Sequence, residues 1–126
     1  MAKILIIDDD PTLLDLVNNA LLTKGHQVLV TRNPHQALPL LLREEPDLAI
    51  IDYQMPDRNG LELLGDIRCI PELDKIPFVM LTGNGDPNIV AKAISLGVTD
   101  FIVKPIKICD LLERLGKLTA FAKSEL

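Results

Sequence analysis

Five polar side chains that could take part in chemistry lie at the ends of apolar runs of the sequence. Two carboxylates follow the first run, one ends the third, and a hydroxyl and an amine end the fourth and fifth: Asp8 and Asp9, Asp52, Thr82, and Lys104. Carboxylates can bind a metal ion or attack an electrophile, and a hydroxyl and an amine can stabilise a developing anion. What they could do depends on whether the fold brings them together.

The runs are predicted strands, because short aliphatic stretches alternate five times with amphipathic helical stretches. The strands cover residues 3–7, 27–31, 48–52, 78–82 and 101–104, and the helices begin near residues 11, 34, 60, 87 and 108. Asp10 before Pro11 and Asn33 before Pro34 are typical helix starts, and Gly25 is a typical helix end. Pro39 lies inside the second predicted helix, so we expect a kink or a late helix start there.

This alternation predicts an α/β fold with right-handed crossovers. We expect a doubly wound, five-stranded parallel sheet of order 2-1-3-4-5 with five helices, a flavodoxin-like three-layer sandwich. In that order the first and third strands are neighbours, so Asp8 and Asp9 face Asp52 at the edge where the strands end. The length of 126 residues and the 48% hydrophobic content fit one domain over residues 1–126.

Three carboxylates at one edge create an electrostatic problem. Two like charges about 4 Å apart repel by roughly 4 kcal/mol at an effective dielectric constant near 20. Lys104 can neutralise only one of them. A small set of oxygen ligands suits Mg2+, which keeps several waters and accepts one or two carboxylates together with phosphate oxygens. The cluster therefore predicts a magnesium site and a phosphoryl-transfer reaction, with Asp52 as nucleophile, Lys104 spreading charge and Thr82 as hydrogen-bond donor.

Four motifs at the ends of predicted strands resemble those of the receiver domains of two-component response regulators. They are IIDDD at 6–10, IIDYQMPDRNG at 50–60, MLTG at 80–83 and FIVKP at 101–105. Each motif alone is weak to moderate evidence, but all four occur in the order of the family and span nearly the whole chain. The resemblance implies that Asp52 accepts a phosphoryl group from the phosphohistidine of a sensor kinase or phosphotransfer protein.

The resemblance also implies particular roles for the other residues. Asp9, Asp52 and the backbone carbonyl of Gln54 would bind Mg2+ directly, and Asp8 would act through water. Thr82 would move toward the phosphoryl group, and the ring of Phe101 would turn inward. The surface of the fourth helix, fifth strand and fifth helix would then change for a downstream effector, and it is a candidate surface for a homodimer. The bond between Lys104 and Pro105 would be cis.

Two positions are tied to finer properties of the family. Phe101 stands where many members have tyrosine, so its movement would be felt through packing alone. Gln54 and Asn84 occupy the variable positions that tune the lifetime of the phosphoryl group. The resemblance implies a signalling domain that catalyses only its own phosphorylation and dephosphorylation, and not an enzyme acting on other substrates.

Two other functions conflict with residues of this sequence. A phosphatase of the haloacid dehalogenase type needs a second carboxylate two residues after the nucleophile, where this chain has Gln54. A flavin or nucleotide carrier needs a first loop rich in glycine, serine or threonine, whereas here that loop is Asp8–Asp9–Asp10–Pro11. The remaining alternative is a receiver-like interaction scaffold that is not regulated by phosphorylation.

Composition excludes several further classes. A formal net charge of -5 argues against direct nucleic-acid binding, and the 3% aromatic content argues against a base-stacking platform. Cys69 and Cys109 have no metal-ligand or disulfide spacing, so we expect two buried free thiols. No signal peptide or membrane-spanning run is evident, which favours a cytoplasmic protein without membrane contact.

Overall fold

A computed structural model describes residues 2–55, 57–83 and 85–124, with side chains up to residue 118. Five strands alternate with five α-helices, in the order β1 (Lys3–Ile7), α1 (Pro11–Thr23), β2 (Gln27–Thr31), α2 (Ala37–Glu44), β3 (Leu48–Asp52), α3 (Gly60–Arg68), β4 (Phe78–Thr82), α4 (Pro87–Ser95), β5 (Asp100–Val103) and α5 (Ile108–Ser124). Two 3-10 turns, Pro34–Gln36 and Pro71–Leu73, precede α2 and β4.

The first helix begins and ends as its sequence predicts. The Asp10 side chain accepts hydrogen bonds from the backbone N–H groups of Thr12 and Leu13, and Pro11 occupies the first helical position, where no N–H donor is needed. After the helix, Gly25 has a φ of 83°, a left-handed conformation that glycine adopts without a steric penalty. The chain can therefore reverse into β2 within a few residues.

The second helix shows how a proline is accommodated. Asn33 caps a 3-10 turn that starts at Pro34, and the α-helix begins only at Ala37. Pro39 thus lies in the first turn of α2, where backbone N–H groups have no partner within the helix. The late helix start that the proline predicted is confirmed.

The sheet is parallel throughout, with the predicted strand order β2-β1-β3-β4-β5. Ile7 of β1 pairs with Ile51 of β3, so the residues that follow these two positions come to lie side by side. The fifth strand runs one residue earlier than predicted, and Lys104 follows its last residue instead of ending it. The Lys104–Pro105 peptide bond is cis.

Helices cover both faces of the sheet and give three layers. One apolar cluster joins alternate strand residues such as Ile4 and Ile50 to α1 and α5. The other joins the intervening residues, including Leu5 and Ile51, to α2, α3 and α4. Because β1, β3 and β4 are buried on both faces, their sequences are apolar almost without interruption.

The expectation of two buried thiols is wrong, because Cys69 and Cys109 are both exposed. Cys69 follows Arg68 at the end of α3, two residues beyond the last buried position of that helix. Cys109 lies in the first turn of α5, next to the half-buried Ile108 and on the opposite side from the core. Helical geometry thus overrides the general tendency of free cysteines to be buried. In the described part of the chain, no helix has the length and apolar character to cross a membrane.

Candidate functional site

The predicted carboxylates meet at the edge of the sheet where the strands end. Asp8 follows β1, Asp52 is the last residue of β3, and these two strands are adjacent. Carboxylate oxygens of Asp8, Asp9 and Asp52 all lie within 4.8 Å of one another. A single cation could therefore contact all three side chains, as the topology predicted.

Two of these carboxylates are removed from solvent. Asp8 is 1% exposed and Asp52 is 3% exposed. One oxygen of Asp8, Oδ1, accepts a hydrogen bond of 2.9 Å from the backbone N–H of Asp10. The other, Oδ2, is buried and has no hydrogen-bond partner among the residues that the structure describes. A buried oxygen of this kind is costly unless a donor or a cation reaches it.

Lys104 places a positive charge directly beside the two buried carboxylates. Its Nζ donates a hydrogen bond of 3.1 Å to Oδ1 of Asp52 and lies 3.9 Å from Oδ2 of Asp8. The backbone N–H of Lys104 also donates to the carbonyl of Thr82, at 2.6 Å, so the start of the segment after β5 is fixed to β4. The amine is thereby held over the carboxylates.

Burial changes the acidity of both inner carboxylates. The pKa of Asp8 is raised to about 7, mainly by burial and also by the negative charge of Asp52, while the Asp10 N–H and Lys104 oppose the shift. Burial also raises the pKa of Asp52, although its hydrogen bond with Lys104 and the attraction of that amine lower it. In both groups the cost of burying the charge outweighs the stabilisation that Lys104 provides.

The loop after β3 fixes the position of Asp52. The backbone N–H of Tyr53 donates to the carbonyl of Leu81, and its own carbonyl accepts from the N–H of Gly60, each at 2.8 Å. A Cβ added at Gly60 would lie 2.7 Å from the carbonyl oxygen of Asp52, so only glycine fits there. Asn59 and Glu62 form a capping box that starts α3 at this point.

The remaining predicted residues surround the cluster in different ways. Thr82 is completely buried at the end of β4. Phe101 is half-buried, pairs with Met80 of β4 and packs against the second apolar cluster. Gln54 is exposed, and its backbone N–H lowers the pKa of Asp52. Asn84 lies outside the described residues.

One basic residue at this edge was missed by the sequence reasoning. Arg32 follows β2, and its Nη2 donates a hydrogen bond of 3.2 Å to the backbone carbonyl of Asp9. The signal was available, because Arg32 comes directly after a predicted strand and β2 is the neighbour of β1. Residues that follow neighbouring parallel strands share one edge whatever their charge.

Comparison with known proteins identifies the family. The model of the response regulator receiver domain matches residues 4–116, which is most of the chain. The chain belongs to the response regulator receiver family. It is 35% identical over 125 residues to a chemotaxis protein CheY homolog of Campylobacter jejuni, covering 98% of this chain and 96% of the relative. It is 34% identical over 117 residues to chemotaxis protein CheY-3 of Vibrio cholerae, covering 92% and 90%.

Solved structures agree with this assignment. A CheY-like receiver domain protein of Methanospirillum hungatei superimposes with a TM-score of 0.90 at 28% identity, over 100% of this chain and 99% of the other.

Other relatives are longer than this chain. The chain is 30% identical over 125 residues to the phosphate regulon transcriptional regulatory protein PhoB of Rhizobium meliloti, and the match covers 99% of this chain but 55% of the relative. The chain thus contains a receiver domain, a signalling domain with the flavodoxin-like fold.

Proposed function

We propose that this receiver domain accepts a phosphoryl group on Asp52 from a histidine kinase or a phosphotransfer protein. The observation that carries the proposal is the position of Asp52, which lies among two further carboxylates and 3.1 Å from the Lys104 amine. A carboxylate with an amine beside it and a cation-binding cluster around it is arranged for attack on phosphorus.

The residues at the site fit Mg2+. Three carboxylates supply only hard oxygen ligands, and the buried Oδ2 of Asp8 has no hydrogen-bond partner in the described part of the chain. Asp9 and Asp52 would hold the ion directly, with Asp8 acting through water and the carbonyl of Gln54 as a further ligand. When bound, Mg2+ would neutralise charge on the carboxylates and on the phosphoryl oxygens.

The proposed reaction is a direct displacement at phosphorus. A carboxylate oxygen of Asp52 forms a new O–P bond while the P–N bond of the donor phosphohistidine breaks. The electron pair of that bond goes to the imidazole nitrogen, which takes up a proton, and Asp52 becomes an acyl phosphate. Lys104 then interacts with the transferred group and not with a free carboxylate, and Thr82 donates a hydrogen bond to one of its oxygens. The chemistry acts on the domain itself.

The altered charge at Asp52 would be transmitted to a surface that partners contact. Thr82 and Phe101 are the proposed switch, because the phosphoryl group draws the hydroxyl and the ring fills the space that is left. Within the described residues, the surface formed by α4, β5 and α5 carries the exposed apolar side chains of Ile94, at 63% exposure, and Val103, at 47%. Such side chains favour contact with an effector or with a second copy of the domain.

Intact-mass spectrometry tests the proposal. The native protein with Mg2+ and phosphoramidate or acetyl phosphate should gain the mass of one phosphoryl group, and removal of Mg2+ with EDTA should abolish the gain. Asp52→Asn should show none. Asp57→Asn is the matched control, because Asp57 is an exposed residue of the same loop, and it should be phosphorylated like the native protein.

Two results would refute the proposal. One is a native protein without an adduct under conditions in which Mg2+ binding is detected, which would favour the scaffold that is not regulated by phosphorylation. The other is an adduct of equal yield in Asp52→Asn, which would place the phosphoryl group elsewhere.

A further inference from the structure

Arg68 joins the end of α3 to the end of α4. Its Nε donates a hydrogen bond of 2.6 Å to the carbonyl of Leu96, and its Nη2 donates one of 2.7 Å to the carbonyl of Gly97. These carbonyls directly follow α4, which ends at Ser95. One guanidinium thus holds two successive peptide groups that are 28 and 29 residues away in the sequence.

The chemistry of this contact makes it a firm one. Hydrogen bonds from a charged donor are stronger than neutral ones, and the planar guanidinium holds two acceptors in a fixed geometry. A cation is also favoured at the carboxyl end of a helix, where the backbone carbonyls carry partial negative charge. The guanidinium lies 5.1 Å from the ring centroid of Phe78, a fully buried residue, which adds a cation–π attraction.

At this end of α4, backbone hydrogen bonds join the chain to the last turns of the helix and to the sheet. The N–H groups of Leu96, Gly97 and Val98 donate to carbonyls of α4 at 2.9–3.1 Å, and the N–H of Thr99 donates to the carbonyl of Phe78 at 2.8 Å. Gly97 has a φ of 81°, and a Cβ added there would lie 3.3 Å from Nε and Nη2 of Arg68. Glycine therefore permits both the turn and the close approach of the guanidinium.

The amino-terminal end of α4 is built differently. It follows a loop that contains Gly83 and Gly85, both exposed, and a Cβ added at Gly83 would meet no atom of the described residues within 4 Å. The Asp86 carboxylate caps the helix by accepting from the N–H of Asn88 at 2.9 Å. This cap comes from the segment of α4 itself and not from α3 or the sheet.

We propose that Arg68 is a positioning residue that makes the carboxyl end of α4 a fixed pivot. The inference rests on the proposed phosphorylation of Asp52 for the signal that moves the helix. The nine residues of α4 span about 13 Å, so a tilt of about 10° about this pivot moves the amino-terminal end by about 2 Å. The carboxyl end is held in place, because a shift there would strain both guanidinium bonds.

A fixed pivot divides the partner surface in two. The first turns of α4 would differ between the unphosphorylated and phosphorylated protein, whereas the region around Ile94 would be the same in both. A partner that contacts residues 87–90 would distinguish the two states. One that contacts only Ile94 and the residues after it would bind both states alike.

Hydrogen exchange of individual backbone amides tests the pivot without any phosphodonor. In Arg68→Met the amides of Leu96, Gly97 and Val98 should exchange about tenfold faster than in the native protein. Arg68→Lys keeps the charge but cannot bind two carbonyls in a fork, so it should restore protection only in part. Arg43→Met is the control, because Arg43 pairs with its neighbour Glu44 on the exposed side of α2, and it should leave these amides unchanged. Equal exchange in Arg68→Met and the native protein would overturn the proposal.

The same measurement under phosphoramidate and Mg2+ tests the division of α4. Intact mass first establishes that Asp52 is phosphorylated, and failure at this stage counts against the proposed function alone. In the phosphorylated native protein, exchange should change at residues 88–91 and stay constant at residues 96–98. In phosphorylated Arg68→Lys the change should extend to residues 96–98. Arg68→Lys is used here because it keeps the positive charge and can be measured even if Arg68→Met does not fold. An even change along α4 of the native protein would refute the pivot.

Discussion

Asp52 and Lys104 face each other across the end of the sheet, 3.1 Å apart, although 52 residues separate them in the sequence. The side chain of Asp52 is 4% exposed and that of Lys104 is 27% exposed, so water screens their attraction only in part. Asp8 lies 3.9 Å from the same amine and shares its charge. Lys104 therefore neutralises only part of the charge of the carboxylates: it stabilises Asp52 but leaves the cluster negative.

A double-mutant cycle measures this pair in EDTA at pH 8. Lys104→Met should lower the free energy of unfolding by about 1–3 kcal/mol, because two buried carboxylates lose their cation. Asp52→Asn should raise it, since one of the crowded charges disappears. In the Asp52→Asn background, Lys104→Met should cost distinctly less, and urea unfolding gives all four values. An equal cost in both backgrounds would show that the two residues do not interact.

Magnesium should stabilise the fold through Asp9. Mg2+ at 100 times its Kd would add about 2.7 kcal/mol to the free energy of unfolding. The melting temperature should therefore rise with Mg2+, and Asp9→Ala should lose most of the rise. Asp15→Ala removes an exposed carboxylate of α1, and this variant should keep the full rise in melting temperature. Tyr53 is the only tyrosine, the chain has no tryptophan, and Tyr53 adjoins Asp52, so its fluorescence is a second readout. A full rise in Asp9→Ala would remove Asp9 from the ligand set.

The raised pKa of Asp8 predicts a pH dependence of the metal-free protein. Its pKa is about 7 in the fold against 3.8 as the ordinary value. Between these values the folded protein binds a proton that the unfolded chain releases, so this contribution to stability is complete below pH 4 and is lost as the pH rises through about 7. Each pKa unit corresponds to about 1.4 kcal/mol.

Asp8→Asn isolates that contribution, because an asparagine oxygen can still accept from the N–H of Asp10. In EDTA the variant should be more stable than the native protein at pH 8, and the difference should shrink toward about pH 5. Chemical unfolding at several pH values measures both proteins. A difference that does not vary with pH would show that Asp8 does not titrate in this range.

The edge of the sheet was predictable from the sequence because it depends on topology alone. Once the alternating runs define parallel strands, the residues that end β1 and β3 must share one edge, and Asp8 and Asp52 do. The features that were not predicted from the sequence depend on the direction of a side chain. The exposure of Cys109 follows from which side of α5 it occupies, and the Arg68 contact links residues 28 positions apart. The apolar spacing of α5 was enough to place Cys109 off the core side of the helix, but no hydrophobic periodicity predicts the Arg68 contact.

Two glycines of one helix give the last prediction. A Cβ at Gly60 would lie 2.7 Å from the carbonyl oxygen of Asp52 and 3.1 Å from the Cα of Tyr53, both backbone atoms that cannot move aside. Gly60→Ala should therefore displace the segment that carries Asp52, lowering the free energy of unfolding by about 1–3 kcal/mol and weakening Mg2+ binding. Urea unfolding and the Mg2+-induced rise in melting temperature are the measurements.

Gly65→Ala is the matched control within α3. A Cβ at Gly65 would meet no atom of the described residues within 4 Å, and alanine is favoured over glycine inside a helix by about 1 kcal/mol. This substitution should stabilise the protein and leave Mg2+ binding unchanged. The two variants make the same chemical change at positions five residues apart, so opposite signs can come only from the close approach of Gly60 to the Asp52 peptide. Stabilisation by both would mean that the loop after β3 relaxes without disturbing the site.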